Sequence, residues 1–210
     1  MSARRPVAIV LIVAGALVLA DVAATVAWQE PVGALTARRD QRQARAELAA
    51  LVDVARREGR ARGVSSRLEA AAARSRRRAT PGHPAGEIVI PRIGLRAVLV
   101  DGSDPASLRR GPGIYDGSPF PGEGGTVAIA GHRTTHGAPF RRVDRLTRGD
   151  RILVRMPYGT LRYVVRARRV VDPADVSIVR RVRSGERLVL SACHPLFSAR
   201  QRIVVLAARV

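Results

Sequence analysis

The sequence contains no lysine, and all 37 of its basic residues are arginine. This absence excludes every lysine-based chemistry, such as formation of a Schiff base with a carbonyl substrate. Aromatic residues make up only 3% of the chain, so a core must be built mainly from Val, Ile, Leu and Ala. With 46% apolar residues among 210, the chain can still bury the core of one domain of moderate size.

A single cysteine, Cys193, is present, so no disulfide can form within the chain. In an exported protein, a lone cysteine is either an intermolecular partner or a reactive thiol. In a cytosolic protein, a lone cysteine is more often a small buried apolar residue. The cellular compartment therefore decides how Cys193 is interpreted.

The formal net charge is +20, distributed as +8 in residues 1–80 and +12 in residues 81–210. A basic balance of this kind can indicate nucleic acid, anionic lipid or an acidic polymer as the partner. The sequence has no zinc-ligand spacing, no aromatic platform for RNA and no helix-turn-helix pattern. We therefore expect no nucleic-acid partner.

One long apolar run, from Pro6 to Trp28, contains a single charged residue, Asp21. As a helix it would extend about 34 Å, which is enough to cross the hydrocarbon core of a bilayer. A cleaved signal peptide is the alternative, because Arg4 and Arg5 form a short basic region before the run. The run is long for a signal peptide, so residues 1–30 are predicted to be a cytoplasmic tip and a retained transmembrane anchor. Arginines flank both ends, so the positive-inside rule does not settle the orientation.

Residues 31–80 are rich in Ala, Arg and Glu, and they predict a helical stalk and linker. Apolar residues recur with helical spacing at Leu48, Leu51, Val52 and Ala55. A second helix is predicted around residues 64–73, before a basic linker with Pro and Gly over residues 74–86. We expect the stalk to hold the next domain away from the bilayer. Contact of its arginines with anionic lipid or wall polymer is the alternative.

Residues 81–210 predict a mainly β domain, built as a barrel or a sandwich. Short β-branched segments in this region are separated by Gly, Pro, Asp or Ser, as is typical of all-β proteins. The segments are EIVIPRIGL, TVAIAGH, DRILVRM, LRYVVRARRVV, RLVLSAC and QRIVVLAARV. Between them, SLRRGPGIYDGSPFPGEGG predicts a loop, and FRRVDRLTRGD predicts one short helix that ends at Gly149.

Two of the predicted strands end in residues that carry chemistry, His132 and Cys193. A thiol becomes a nucleophile when it loses its proton beside a cation, and a histidine can return that proton to a leaving amine. Arg202 lies in the last predicted strand, and a guanidinium there can stabilise an oxyanion. These three residues would form a catalytic site if the fold brings their strands together. Arg200 is the alternative arginine, but it precedes the strand face that we expect to line the cleft, so we favour Arg202.

The motifs around these residues resemble those of sortases, the membrane-anchored cysteine transpeptidases of Gram-positive cell surfaces. The similarity covers roughly residues 87–206 and includes IPRIGL, GPGIYDGSPFPGEGGTVAIAGHR and LVLSACHPLFSARQRIVV. GHRTTHGAPF and CHPLFSARQR most resemble the class E sortases of actinobacteria. The resemblance implies a closed sortase-type barrel of about eight strands with short helices. It also implies catalytic roles for Cys193, His132 and Arg202, in a domain on the outer side of the cell membrane.

The resemblance further implies cleavage of a Leu-Ala-x-Thr-Gly (LAXTG) or Leu-Pro-x-Thr-Gly (LPXTG) sorting signal between Thr and Gly. Cys193 would form a thioacyl intermediate, and an amine of a peptidoglycan precursor would then accept the surface protein. Two expected substrate-binding positions depart from the class E pattern, because His136 replaces a tyrosine and Ala192 replaces a threonine. We expect no cofactor. We expect no metal site either, because His132 and His136 lie in a Gly-rich loop and not on one face of a helix.

Three other functions stay open at this point. A pilin-polymerising sortase would use a lysine of another surface protein as acceptor, and it often carries a lid, which is not evident in this sequence. An L,D-transpeptidase also uses an exported Cys/His pair, but LSACHP lacks the glycine expected before its cysteine. A membrane-tethered scaffold that binds anionic wall polymer through its arginines would need no thiol.

Overall fold

The computed structural model of the protein describes residues 11–17, 19–20, 31–59, 67–180, 182 and 184–210. The apolar run from Pro6 to Trp28 lies largely outside these residues, so the transmembrane anchor stays a prediction. In the part of the chain that is described, no helix combines the length and the apolar character needed to cross a membrane.

The described residues from 31 onward form three α-helices and eight strands. The helices are α1 (Pro31–Gly59), α2 (Arg67–Arg78) and α3 (Pro105–Arg110). The strands are β1 (Pro84–Ile90), β2 (Leu95–Asp101), β3 (Gly113–Ile114), β4 (Gly125–Ala130), β5 (Arg151–Met156), β6 (Gly159–Val171), β7 (Glu186–His194) and β8 (Gln201–Arg209). Short 3-10 helices cover Pro91–Ile93, Val143–Arg145 and Val176–Val179.

The eight strands close into one barrel in the order β1-β2-β3-β4-β7-β8-β6-β5. The last strand of this order, β5, returns to pair with β1. Neighbouring strands are antiparallel except for the pairs β2–β3 and β4–β7, which run parallel. The predicted closed β-barrel of about eight strands with short helices is therefore confirmed.

The interior of the barrel is filled by side chains that alternate along the strands. On β7, Leu188, Leu190 and Ala192 belong to the interior core, whereas Val189 belongs to a separate cluster. Side chains in a strand point alternately to its two faces, so that second cluster lies on the outer surface of the sheet. Residues at the strand ends that alternate with the core residues therefore project to the outer surface of the barrel.

Two of the predicted strand and loop segments are divided differently in the structure. The segment EIVIPRIGL is split between β1, the 3-10 turn Pro91–Ile93 and the first residue of β2. Pro91 begins this turn because its fixed φ suits a first helical position and it has no N–H for a sheet ladder. The two-residue strand β3 lies within the stretch that the sequence predicts as a loop. The short helix predicted near Gly149 is the 3-10 turn Val143–Arg145.

The helix α1, which the sequence predicts as part of a stalk, packs against the barrel. Ala37 and Ala44 are buried in this contact, and Gln41 lies between them. The side chain of Gln41 accepts a hydrogen bond from the N–H of Val98 at 2.8 Å and donates one to the carbonyl of Arg110 at 2.7 Å. Strand β3 pairs only with the last two residues of β2, Val100 and Asp101, so the earlier residues of that edge of β2 have no strand beside them. The amide of Gln41 supplies hydrogen bonds there in place of a strand.

The predicted linker over residues 74–86 is also partly ordered as secondary structure. Helix α2 continues to Arg78, and β1 begins at Pro84. Ala72 is fully buried, Leu68 packs on the barrel core, and Nε of Arg76 pairs with Glu123 at 2.9 Å. The described residues of both helices are therefore parts of the folded domain.

Replacing Gln41 with leucine is expected to lower the free energy of unfolding by about 1–3 kcal/mol, because the N–H of Val98 and the carbonyl of Arg110 lose a partner. Gln43→Leu is the matched control, since the one bond of Gln43 to a described residue is to Glu47 on its own helix. The control should change stability by less than about 0.5 kcal/mol. Urea unfolding followed by circular dichroism measures both, and equal losses would contradict the edge-completing role of Gln41.

Candidate active site

The outer face of β4 and β7 brings two of the predicted catalytic residues next to each other. These strands run parallel with Ala130 opposite Ser191, and the N–H of Gly131 continues the ladder to the carbonyl of Ser191 at 3.1 Å. His132 follows Gly131, two residues beyond the end of β4, and the continued alignment places it beside Cys193 on the neighbouring strand. Adjacent strands lie about 4.8 Å apart, so the two residues are neighbours across the sheet.

Cys193 and Arg202 are directly opposite each other in the antiparallel pair β7–β8. Directly opposed residues project to the same face, with Cβ atoms about 4.5–5.5 Å apart. The residues beside them, Ala192 and Ile203, belong to the interior core, so Cys193 and Arg202 project outward. The structure thus brings His132, Cys193 and Arg202 together in one row, which we call the catalytic row.

The guanidinium of Arg202 is held by the turn that precedes β8. Its Nη1 donates hydrogen bonds to the carbonyls of Ala199 at 2.9 Å and Gln201 at 3.1 Å. Among the described residues, no bond engages its Nε or Nη2, so these donors are free for an incoming oxygen. Arg200 is exposed and lies before β8. Of the two candidate arginines, Arg202 is therefore the one that shares a register position with Cys193.

The imidazole of His132 has one nitrogen near a protein hydroxyl and one without a partner. Its Nδ1 lies 3.4 Å from the hydroxyl of Thr135, and its Nε2 is buried with no hydrogen bond within the described part of the chain. The ring of His136 packs on it with 4.7 Å between centroids. Burial, reinforced by the charges of His136 and Arg109, lowers the pKa of His132 below its ordinary 6.5. The imidazole is therefore neutral at neutral pH and can accept a proton.

The lowered pKa of His132 predicts that stability falls as the pH drops from about 6.5. In that range the unfolded chain binds the imidazole proton more readily than the folded protein, so unfolding becomes easier until both states are protonated. Substitution His132→Gln should therefore retain more of its pH 7.5 stability at pH 5.5 than the parent protein does.

Urea unfolding at the two pH values measures this difference, and His83→Gln removes an imidazole outside the site as a control. The side chain of His83 is 60% exposed. An unchanged pH dependence for His132→Gln would contradict the effect of burial at this position.

Sequence reasoning missed Arg133, which is buried beside the catalytic row with a side chain only 2% exposed. Its Nη1 donates to the carbonyl of Cys193 at 3.3 Å and lies 3.2 Å from Nδ1 of His194. Its Nη2 pairs with Asp144 at 3.2 Å. The guanidinium of Arg133, the residue after His132, is thus bonded to the backbone of Cys193. The one signal in the sequence is its adjacency to His132, since nothing else distinguishes it among 37 arginines.

Substitution Arg133→Met is expected to lower the free energy of unfolding by about 2–4 kcal/mol, because it leaves the part-buried carbonyls of Cys193 and Arg141 without a donor and breaks the ion pair with Asp144. Arg142→Met is the matched control, since Arg142 is exposed and makes no side-chain bond among the described residues. It should change stability by less than about 0.5 kcal/mol. Guanidinium chloride unfolding compares them, and similar losses would show that Arg133 does not support the site.

An apolar cluster adjoins the catalytic row on the same outer face. Ala128, Val189 and Val204 form it, and Ile178 and Val179 from the β6–β7 connection pack on it. The carbonyl of Arg180 holds this connection on the sheet. It accepts hydrogen bonds from the hydroxyl of Thr126 at 2.7 Å and from Nη2 of Arg187 at 2.8 Å. The connection therefore forms a wall beside the catalytic row.

The two predicted substrate-binding residues occupy different environments. The side chain of Ala192 is 4% exposed and belongs to the interior core. Its position does not support a substrate contact through the methyl group, and only its backbone can border the groove. His136 stacks on His132 and also lines a cavity next to α1. In the described residues, no group of three or more His, Cys, Asp or Glu side chains could hold a metal ion.

Comparison with known proteins identifies the family. A family model described as "Sortase domain" matches residues 88–210, more than half of the chain. The chain belongs to the sortase family. The resemblance found in the sequence motifs is thereby confirmed at the level of the family.

Individual relatives of this sortase differ in class. It is 33% identical over 132 residues to Sortase D of Bacillus subtilis (strain 168), covering 61% of this chain and 65% of that protein. It is 28% identical over 141 residues to Sortase SrtE1 of Streptomyces coelicolor, covering 60% of this chain and 40% of that protein. The chain thus spans less than two thirds of the length of these curated relatives.

The fold of this sortase also matches solved structures. A mutant of sortase E from Streptomyces avermitilis superposes with a TM-score of 0.57 at 29% identity. The match covers 62% of this chain and 90% of that chain. Proteins similar to this sortase thus carry the names of classes D and E.

Proposed function

We propose that this sortase is a cysteine transpeptidase that joins surface proteins to the cell wall. It cleaves a sorting signal of the LAXTG or LPXTG type between Thr and Gly and transfers the new carboxyl terminus to an amine of a peptidoglycan precursor. The observation that carries this proposal is the catalytic row, in which Cys193 lies opposite Arg202 on β8 and next to His132, which follows the end of β4. Assignment to class E rests on the loops around His132 and Cys193.

In the first half of the proposed reaction, the sulfur of Cys193 attacks the carbonyl carbon of the Thr–Gly bond. The neutral imidazole of His132 takes the thiol proton as a carbon–sulfur bond forms. Arg202 donates hydrogen bonds from Nε or Nη2 to the oxyanion of the tetrahedral intermediate. His132 then returns the proton to the glycine nitrogen, the carbon–nitrogen bond breaks, and a thioester remains on Cys193.

In the second half, the acceptor amine attacks the thioester carbonyl. His132 removes a proton from the amine, and Arg202 again stabilises the oxyanion. The carbon–sulfur bond breaks, the thiolate leaves, and His132 restores its proton. The products are a new amide bond and free enzyme, so the cycle needs no cofactor. A neutral resting imidazole suits both halves, because each begins with proton removal.

An extended peptide can lie along the outer face of the sheet beside the catalytic row. The β6–β7 connection gives it a wall, and the outer-face cluster around Val189 gives that wall an apolar base. We propose that His136, which stacks on His132, borders the signal near the scissile bond.

We further propose that the apolar run before α1 lies in the cell membrane as a single-pass anchor and that the barrel lies outside the cytoplasm.

Cleavage of a fluorogenic Leu-Ala-x-Thr-Gly peptide tests the proposed nucleophile. Substitution Cys193→Ala should lower kcat/KM by at least about 10³-fold, because no other described side chain can form the thioester. Mass spectrometry of the parent protein with the peptide should show an acyl adduct on Cys193. Undiminished cleavage by the variant would refute the scheme, since the enzyme would then not need its thiol.

The two arginines near the start of β8 provide a matched pair for the oxyanion assignment. Arg202→Ala should lower kcat/KM by about 10²–10³-fold, because it removes donors to the developing oxyanion. Arg200→Ala removes an exposed charge and should stay within about twofold of the parent. The same peptide assay measures both, and the reverse order of effects would move the role to Arg200.

A further inference from the structure

A cavity of about 350 Å³ lies between α1, β2 and the loop that contains His136. We call it the arginine cavity, because five arginines line it and no carboxylate does. They are Arg38, Arg42 and Arg45 of α1, Arg96 of β2 and Arg110 of α3. This concentration of one charge lies outside the catalytic row, and the proposed peptide transfer does not use it.

Helical spacing places the three α1 arginines along the cavity. Arg38, Arg42 and Arg45 recur at i, i+4 and i+7, so they share one face of the helix. Each follows by one residue a position that contacts the barrel, namely 37, 41 and 44. All three arginines are exposed, and none makes a side-chain hydrogen bond or ion pair among the described residues. Their charges therefore have no ion-pair partner in the described part of the chain.

The other two arginines of the cavity are held in fixed positions. Nε of Arg96 bonds to Glu87 at 2.7 Å. Arg110 donates to the carbonyl of Gly82 at 2.6 Å and pairs with Glu47 at 3.2 Å. These carboxylates balance at most two of the five guanidiniums, since Glu87 also pairs with Arg155 at 3.0 Å. The three arginines of α1 thus leave a local excess of positive charge on a partly preorganised site.

We propose that the arginine cavity binds a phosphate group of a phosphate ester. Guanidinium groups present paired N–H donors that match phosphate oxygens, and several of them together suit an anion of more than one charge. Apolar surface from Ala34, Leu95 and Pro139 lies beside the arginines and suits the organic part of an ester. His136 and Gly137 also line the cavity, so a bound ester touches the loop that follows His132.

Two sources can supply this phosphate, the headgroup of an anionic phospholipid and a diphosphate ester. Helix α1 begins at Pro31, shortly after the apolar run that ends at Trp28. At 1.5 Å per residue, Arg38 lies about 10 Å along the helix from Pro31. A membrane anchor before α1 would therefore bring the cavity near the headgroup layer. Phosphate binding itself depends neither on the anchor nor on peptide transfer.

Calorimetric titration of the full chain in dodecyl maltoside micelles tests the proposal with two phosphate probes. Inorganic pyrophosphate represents the diphosphate, and glycerophosphoglycerol represents the headgroup of phosphatidylglycerol. We expect saturable binding at one site. The combined substitutions Arg38→Gln, Arg42→Gln and Arg45→Gln should weaken it at least tenfold, and their exposed positions should leave the fold intact.

A control variant carries the same change in net charge away from the cavity. Arg151→Gln, Arg162→Gln and Arg166→Gln remove three exposed arginines of β5 and β6. This variant should bind within about twofold of the parent. Succinate, a dianion without phosphate geometry, should bind at least tenfold more weakly than pyrophosphate. Binding is also measured with Cys193→Ala, which retains the cavity, so that failure of phosphate binding is distinct from failure of peptide transfer.

The relative affinities of the two probes identify the source of the phosphate. Pyrophosphate affinity at least tenfold above that of glycerophosphoglycerol assigns the site to a diphosphate, and comparable affinities assign it to a headgroup phosphate. Absence of measurable binding of either probe overturns the proposal. It is equally overturned if the two triple variants lose affinity alike, or if succinate binds as tightly as pyrophosphate, because either result reflects general charge attraction.

Discussion

Antiparallel pairing sets Cys193 directly opposite Arg202, and a slip of one residue would turn one of the two side chains into the barrel interior. The slip is prevented by the core itself, because Ala192 and Ile203 fill the interior positions of the same two strands. Packing and chemistry thus depend on one alternation. The apolar side chains fix the register, and the register places Cys193 opposite Arg202 on the outer face.

The third member of the catalytic row depends on a different contact. His132 follows a strand that runs parallel to β7, and the backbone ladder continues as far as Gly131. Beyond Gly131, the buried guanidinium of Arg133 connects the two strand ends, because it bonds to the carbonyl of Cys193 and pairs with Asp144. A charged side chain is costly to bury alone, but here each terminal nitrogen has an acceptor. Its burial is therefore consistent with a supporting role between the two strand ends.

Much of the barrel follows from sequence because its strands are short β-branched runs between turn residues. The outward direction of Cys193 also follows once Leu188 and Leu190 are assigned to the core, and the same alternation should have placed Ala192 inside. The docking of α1 could not be predicted, because an Ala-rich helix with many arginines has the same pattern whether it is free or packed. The role of Gln41 depends on a backbone edge that exists only in the folded barrel, and strand β3 is too short to produce a pattern.

The contact of Gln41 with β2 makes helix α1 a part of the folded domain. A shortened protein that started at residue 81 would contain every strand, yet it would leave the N–H and carbonyl of Val98 without the amide that now satisfies them. Open strand edges recruit strands from other molecules. Loss of α1 would thus leave β2 with an unpaired edge, and the shortened protein would tend to self-associate before any peptide is bound.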